Sequence, residues 1–228
     1  MNEPRFDLLV GSEIGLWIVG AVDPRDVATV ITEDEAIAAT ALRRDMQVRS
    51  DPIANGPARF AISAHWPQIL APEQLMGYET AWNLHPGLLP WGRGYGPVFW
   101  AIWAGEPAGA TLHVMTEALD RGPIVDQIAV PITERDTGGS GYRLVLEASQ
   151  ALFLKWWPRL IEGERPPAMA QPSGGSYHAR SELIRLRDSC DVAGMSALEL
   201  IRLARALAMP GMPGPRVSPT CRLAYVEE

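Results

Sequence analysis

Asn83, His85 and Asp120 are the residues of this 228-residue chain whose types and spacing suit work on a carbonyl group. Asn83 and His85 stand two apart in TAWNLH, so in a strand their side chains share one face. An amide and an imidazole side by side can polarise one carbonyl oxygen, and the imidazole can also move a proton. Asp120 lies in EALDRG, between two apolar runs, where its carboxylate can converge on that pair. The loop after Asn83, HPGLLPWGRG, contains two prolines and three glycines. It is stiff in places and permissive in others, which lets backbone approach a ligand closely. The same residues also fit a polar turn, so the elements that carry them decide the reading.

Those elements read as an α/β chain. FDLLVGS (Phe6–Ser12), VATVIT (Val27–Thr32), RFAISA (Arg59–Ala64) and TAWNLH (Thr80–His85) are short apolar strands. A helix through Leu16, Trp17 and Val19 follows the first. Thr32 with Glu35 forms a capping box that opens another through Ala36, Ile37, Ala41 and Leu42. Strands separated by helices predict a Rossmann-like, mostly parallel sheet flanked by helices. In such a sheet the ligand lies beyond the carboxyl ends of the strands, which is where Asn83 and His85 fall. A helix over about 97–104 precedes ATLHVMT (Ala110–Thr116) and PIVDQIAVPI (Pro123–Ile132), which are close enough to pair antiparallel across the Asp120 loop. His113, on the first of these strands, reads as structural.

GGSG leads into a long helix from about Tyr142 to Trp157, with Leu144, Val145, Ala148, Leu152 and Trp156 on one stripe; Pro158 is expected to end or bend it. Arg165–Ser181, rich in Pro, Gly and Ser, reads as an extended excursion. Ser196 and Glu199 cap a last helix through Leu200, Leu203, Ala204 and Leu207, stopped by PGMPGP. The expected division is a catalytic domain over 1–164 and a short C-terminal extension over 165–228, packed on that domain or on a dimer partner.

The bulk composition narrows the partners. A net charge of −7 argues against nucleic acid, and no apolar run approaches a membrane span. The N-terminus lacks a signal-peptide pattern, so a cytoplasmic protein is expected. Lys155 is the only lysine and reads as a solvated helix residue, and Cys190 and Cys221 fit no metal-ligand spacing and read as simple buried thiols. The four histidines, His65, His85, His113 and His178, are scattered, so no metal is expected.

NLHPGLLPWGRG followed by WAIWAGEPAGATLHVMTEALDRGPIV resembles the folate-dependent formyltransferases, whose pattern is an Asn-x-His, a Leu-Pro-x-x-x-Gly loop and a later Leu-Asp-x-Gly. The resemblance covers about 61–130, with a weaker match to about 214. It implies that Asn83, His85 and Asp120 are the catalytic triad, that N10-formyltetrahydrofolate is the donor and that the acceptor is an amine. Attack of an amine on a formyl carbon creates an oxyanion, to which Asn83 and His85 can donate, while Asp120 holds His85 and helps remove the amine proton. The resemblance also implies a pterin pocket lined by Glu117, Leu119 and Asp120 and by HWPQIL, with Trp66, Ile69 and Leu70. Trp66 stacks there or is simply a buried aromatic. Arg93, Gly94 and Trp100 fall on the acceptor side, where Arg93 either holds a phosphate or bonds loop carbonyls. Tyr177 and His178 resemble a position in the sugar-modifying branch where the chain returns over the acceptor, a surface turn being the plainer alternative.

Within this superfamily the acidic, short chain is unlike the methionyl-tRNA enzymes, which carry a second domain and positive charge. Glu13 after Gly11-Ser12 would repel the phosphate that the glycinamide ribonucleotide enzymes bind there. The formyltetrahydrofolate hydrolases bring a regulatory domain. GEPAGATLH and the ending ALAMPGMPGPRV most resemble the enzymes that formylate amino sugars on nucleotide carriers, typically a dTDP-linked 4-amino-4,6-dideoxy sugar, and that branch implies a homodimer. A formyltransferase for a small amine such as hydroxyornithine is the alternative, marked by an acceptor pocket without aromatic residues. A non-catalytic folate or nucleotide-sugar binding protein is a further one.

Overall fold

FDLLV, VATVI and FAISA are apolar at nearly every position, as strands covered on both faces must be, and every residue of the three is buried. The structure is a computed structural model that describes residues 5–53, 56–189, 191–218 and 221–225. The chain runs β1 (Phe6–Val10), α1 (Ser12–Ala21), β2 (Val27–Ile31), α2 (Glu35–Arg43), β3 (Val48–Arg49), β4 (Phe60–Ala64), α3 (Pro72–Met76) and β5 (Thr80–His85). It continues with β6 (Arg93–Gly94), α4 (Pro97–Ala104), β7 (Ala108–Val114), β8 (Ile124–Val130), α5 (Gly138–Ile161), β9 (Tyr177–His178), α6 (Arg180–Ser189), α7 (Ala197–Leu207), β10 (Arg216–Ser218) and β11 (Cys221–Arg222).

A seven-stranded sheet has the order β3-β2-β1-β4-β5-β7-β8. Its pairs from β3 to β5 are parallel, and β7 is antiparallel to β5. The fold is thus the expected mostly parallel α/β sheet with flanking helices. Val10, Ala64 and Leu84 align across β1, β4 and β5, so the residues just beyond them share the carboxyl edge.

The residues gather into two compact units. The first takes those up to His85, Thr111–Ile128 and Ser149–Gln171; the second takes Pro86–Ala110, Ala129–Ala148 and those from Pro172 onward. In the first unit, Leu9, Ile31, Leu70 and Tyr78 belong to one cluster, and the rings of Phe6, Phe60, Trp82 and Trp157 meet at 5.1–6.2 Å. In the second, Val98, Phe99 and Ile102 of α4 pack with Val145, Leu183, Leu203 and Leu207.

Several expectations change. Asp34, not Thr32, caps α2: its Oδ1 accepts from the Ala36 and Ile37 N–H groups at 2.9 and 3.1 Å, while Thr32 Oγ1 accepts from Asp34 N–H. A carboxylate directly before the first turn suits the exposed N–H groups better than a hydroxyl two residues earlier. Helix α5 starts at Gly138 because the Thr137 and Ser140 hydroxyls cap it reciprocally, and it runs through Pro158 rather than stopping there. Proline inside a helix costs about 3 kcal/mol, which burial of Trp156, Trp157 and Leu160, at roughly 2 kcal/mol each, offsets.

The 165–181 stretch is not all excursion: Met169 bridges to Ile124, and β9 pairs with β6. Lys155 is not merely solvated, since its Nζ lies 2.7 Å from Asp126. Cys221 is exposed, and Cys190 lies outside the described residues. On α7 the Ser196–Glu199 box forms as expected, Leu203 and Leu207 are buried, and Leu198 and Ile201 face out. Among the described residues no helix is long and apolar enough to cross a membrane.

Candidate active site

Strand β5 carries Asn83 and His85, and the antiparallel register of β7 sets His113 opposite Asn83. His113 Nδ1 lies 2.9 Å from the Val114 carbonyl, which only an N–H can satisfy. Its Nε2 therefore offers a lone pair, which accepts from the Asn83 amide at 3.2 Å. One amide hydrogen of Asn83 is fixed in this way. The other is directed at Asp120 Oδ1 over 3.5 Å, the limit of a hydrogen bond, and can turn to a substrate oxygen.

Asp120 reaches this pair from the loop after β7. Its backbone is left-handed, with φ of +53°. Gly122 permits the turn, since a Cβ there would overlap the Val114 carbonyl oxygen. Gln171 donates to the Asp120 and Gly122 carbonyls at 2.8 and 2.9 Å, clamping the loop from outside. The Asp120 carboxylate, 6% exposed, lies 3.7 Å from His85 Nδ1. Its 3.7 Å approach to His113 Nε2 is not a bond, because both atoms are acceptors there. The carboxylate thus faces the Nδ1 edge of the His85 ring, where it can orient it. Loose contacts of this kind are usual before substrate arrives.

His65 follows β4 at the same carboxyl edge, with φ of +51°, and its Nδ1 is 3.1 Å from Ser12 Oγ. Burial, with a smaller effect of the nearby His85 charge, pushes the His65 imidazole down to about 3, so it stays neutral. Ser12 itself has φ of +56°. Among the described residues no group of three or more His, Cys, Asp or Glu side chains is arranged to hold a metal ion.

The other residues singled out from the sequence fall into two groups. In the first unit, Trp66 packs half-buried against the Leu9 cluster, and its indole N–H is buried without a hydrogen-bond partner. Leu70 is in that cluster, whereas Ile69 is 69% exposed. Glu117 and Leu119 are exposed just ahead of Asp120. In the second unit, Arg93 is buried and donates to the Gly174 carbonyl at 3.3 Å, the loop-carbonyl role of the two considered. Gly94 pairs with His178, and a Cβ on Gly94 would overlap the His178 carbonyl oxygen. Trp100 donates to the Tyr95 carbonyl at 3.0 Å, and the His178 ring stacks on it at 3.8 Å. SYHAR is therefore no free surface turn, although Tyr177 remains exposed.

Asn83, His85 and Asp120 do come together, and His113 joins them unforeseen. Its signal was the pairing of TAWNLH with ATLHVMT, which aligns Asn83 with His113 only when the register is known. Gln171 gave no signal, as a glutamine in a Pro-rich stretch has no distinctive spacing.

The formyl transferase family model matches residues 19–156. Among solved structures, a 4-N formyltransferase from Francisella tularensis has a TM-score of 0.81 at 20% identity, covering 99% of each chain. The formyltransferase PseJ from Anoxybacillus kamchatkensis, in complex with UDP-4,6-dideoxy-4-formamido-L-AltNAc and tetrahydrofolate, has a TM-score of 0.58 at 27% identity, covering 69% of this chain and 87% of its own. An N-formyltransferase from Helicobacter canadensis, in complex with folinic acid and dTDP-3-aminofucose, has a TM-score of 0.72 at 20% identity, covering 90% and 80%. With its Asn-His-Asp cluster at the sheet's carboxyl edge and more than half its length matched, the chain belongs to the formyl transferase family.

Proposed function

We propose that this protein transfers a formyl group from N10-formyltetrahydrofolate to the amino group of a nucleotide-linked amino sugar, of the dTDP-4-amino-4,6-dideoxyhexose type. The observation that carries the reading is the convergence of Asn83, His85 and Asp120, three groups that together answer the charge changes of amide formation. The PseJ and Helicobacter complexes, which hold folates and nucleotide sugars, support the donor and acceptor classes. Exposed Tyr95 and Tyr177 in the second unit favour a nucleotide carrier over a small amine, since a base needs rings to stack on.

The residues of the first unit fit a folate. The partnerless Trp66 N–H is a donor awaiting an acceptor, and Ile69 and Leu119 leave apolar surface beside it in sequence and beside Asp120. Trp66, Ile69, Leu70, Glu117 and Leu119 would hold the pterin, a flat ring with polar edges. Bound N10-formyltetrahydrofolate supplies the formyl carbonyl. His85 donates to the carbonyl oxygen as negative charge develops on it, and Asn83 donates its second amide hydrogen to the same oxygen. Asp120 would keep His85 in its donating state and take the proton that the attacking amine sheds, directly or through water; as the carbon–N10 bond breaks, that proton would pass to N10 and tetrahydrofolate would leave. Arg93 and Gly94 shape the acceptor loop, Trp100 and His178 support it, and Tyr177 meets the carrier.

A panel of dTDP-, UDP- and GDP-linked amino sugars with N10-formyltetrahydrofolate, read by mass spectrometry of the product, tests this. Formylation of a nucleotide amino sugar is expected; transfer to hydroxyornithine alone would reject the acceptor class. The protein is further proposed to be a homodimer, which light scattering in solution checks.

A further inference from the structure

Glu106, just past α4, has no part in the transfer chemistry, yet its side chain is only 10% exposed. Burying a carboxylate is strongly unfavourable unless its oxygens are matched. Both are. One accepts from Ser176 Oγ at 2.7 Å, and the other lies 2.8 Å from His178 Nε2. Ser176 Oγ in turn accepts from the Gly92 N–H at 2.8 Å, and His178 Nδ1 faces Glu182 at 3.4 Å. Three backbone bonds run alongside: Ser176 N–H to Pro90, Arg93 N–H to Ser176 and Tyr95 N–H to His178, at 2.8–3.2 Å. Loop 90–95 and strap 174–178 are thus zipped together, and Glu106 grips the strap at two side chains. From this frame Tyr95 and Tyr177 project 40% and 53% exposed, and the Arg180 guanidinium sits 5.5 Å over the Tyr95 ring.

We propose that Glu106 is a positioning residue for the acceptor: by holding Ser176 and His178 it fixes the exposed Tyr95 and Tyr177 rings as a stacking surface for the carrier's base, with Arg180 available to its phosphates. A base offers a π-face to an aromatic ring, and a guanidinium bonds phosphate oxygens in pairs. Rings held in place bind more tightly than rings that must first be ordered. The inference rests on the nucleotide-sugar reading above.

Glu106→Ala, Glu106→Gln and Ser176→Ala decide it, with dTDP and UDP as carrier probes and 5-formyltetrahydrofolate as donor probe. Glu106→Ala is expected to raise the acceptor KM and the nucleotide Kd about tenfold, the scale of one lost charge-assisted bond. The kcat and the donor's thermal shift stay as in the wild type. Glu106→Gln, which can still accept from Ser176, recovers part of the loss, and Ser176→Ala shows a smaller rise in KM. Unchanged acceptor KM in the variants overturns the proposal, as does a parallel loss of kcat, donor binding and acceptor binding, which marks general damage. Should Glu106→Ala not fold, Ser176→Ala carries the decision. A wild-type protein that binds the folate but neither nucleotide overturns the acceptor reading and this proposal with it; nucleotide binding by wild type and variants alike overturns only the proposal.

Discussion

Asn83 owes its orientation to His113, and that dependence separates two roles. In the proposed mechanism Asn83→Ala removes a donor to the developing oxyanion, and kcat is expected to fall about 10²–10³-fold. His113→Phe leaves the amide in place but frees it to rotate, for an expected loss of about 10–100-fold. Single-turnover kinetics with saturating donor measure both, and an unaltered rate in His113→Phe would show that Asn83 is held by other means. Asp120→Asn keeps the shape of the carboxylate and removes its charge, so in the proposed mechanism His85 loses its orienting partner and the amine proton its destination. A fall in kcat of about 10²–10⁴, read in the same single-turnover kinetics, is expected from losing a general base.

Among the elements, the carboxyl edge of β4 sets the acid response. His65 is neutral in the folded protein, held down to about 3, whereas its ordinary value is 6.5. Between those values the unfolded chain binds a proton that the folded chain refuses, so stability falls as pH drops from 6.5 towards 3. The slope is at most about 1.4 kcal/mol per pH unit. Buried Asp7 acts in the opposite sense: its carboxyl is raised above 3.8, so the stability it contributes in acid is lost as pH rises through its folded value. His65→Gln should flatten the decline below pH 6.5 in denaturant titrations, and an unchanged slope would mean that His65 is solvated.

Much of this scale was legible in the sequence. TAWNLH and PVFWAIWA mark β5 and α4 to the residue, because a short, largely apolar run and a proline at a helix start are local signals. The pairing of β6 with β9 was not legible, since residues 93–94 and 177–178 meet only through a long-range register. Nor was the run of α5 past Pro158, which buried Trp156, Trp157 and Leu160 outweigh. At the site, residue types were readable at Asn83, His85 and Asp120, whereas His113 and Glu106 acquire roles only from what they touch.

For the molecule as a whole, the buried contact between Tyr78 and Asp7 spans 71 positions of sequence within the first unit. The Tyr78 hydroxyl donates to the carboxylate at 2.9 Å, and the other carboxylate oxygen has no partner. Tyr78→Phe is expected to cost about 1–3 kcal/mol, as removal of one partner from a buried polar group does. Thermal unfolding checks this, and turnover of the folded fraction should be unaffected.

The antiparallel pairing of β7 on β5 has a consequence for how such a chain can vary. The ladder, not the distance along the chain, sets Asn83 against His113, so the residues from Pro86 to Pro107 can lengthen or shorten without disturbing the pair. Loss of one residue within either strand is different in kind. It shifts the ladder by one step, turns each displaced side chain to the opposite face and sends His113 away from Asn83. The Asn83–His113 pair is thus tolerant of insertions between its strands and intolerant of a single deletion within them.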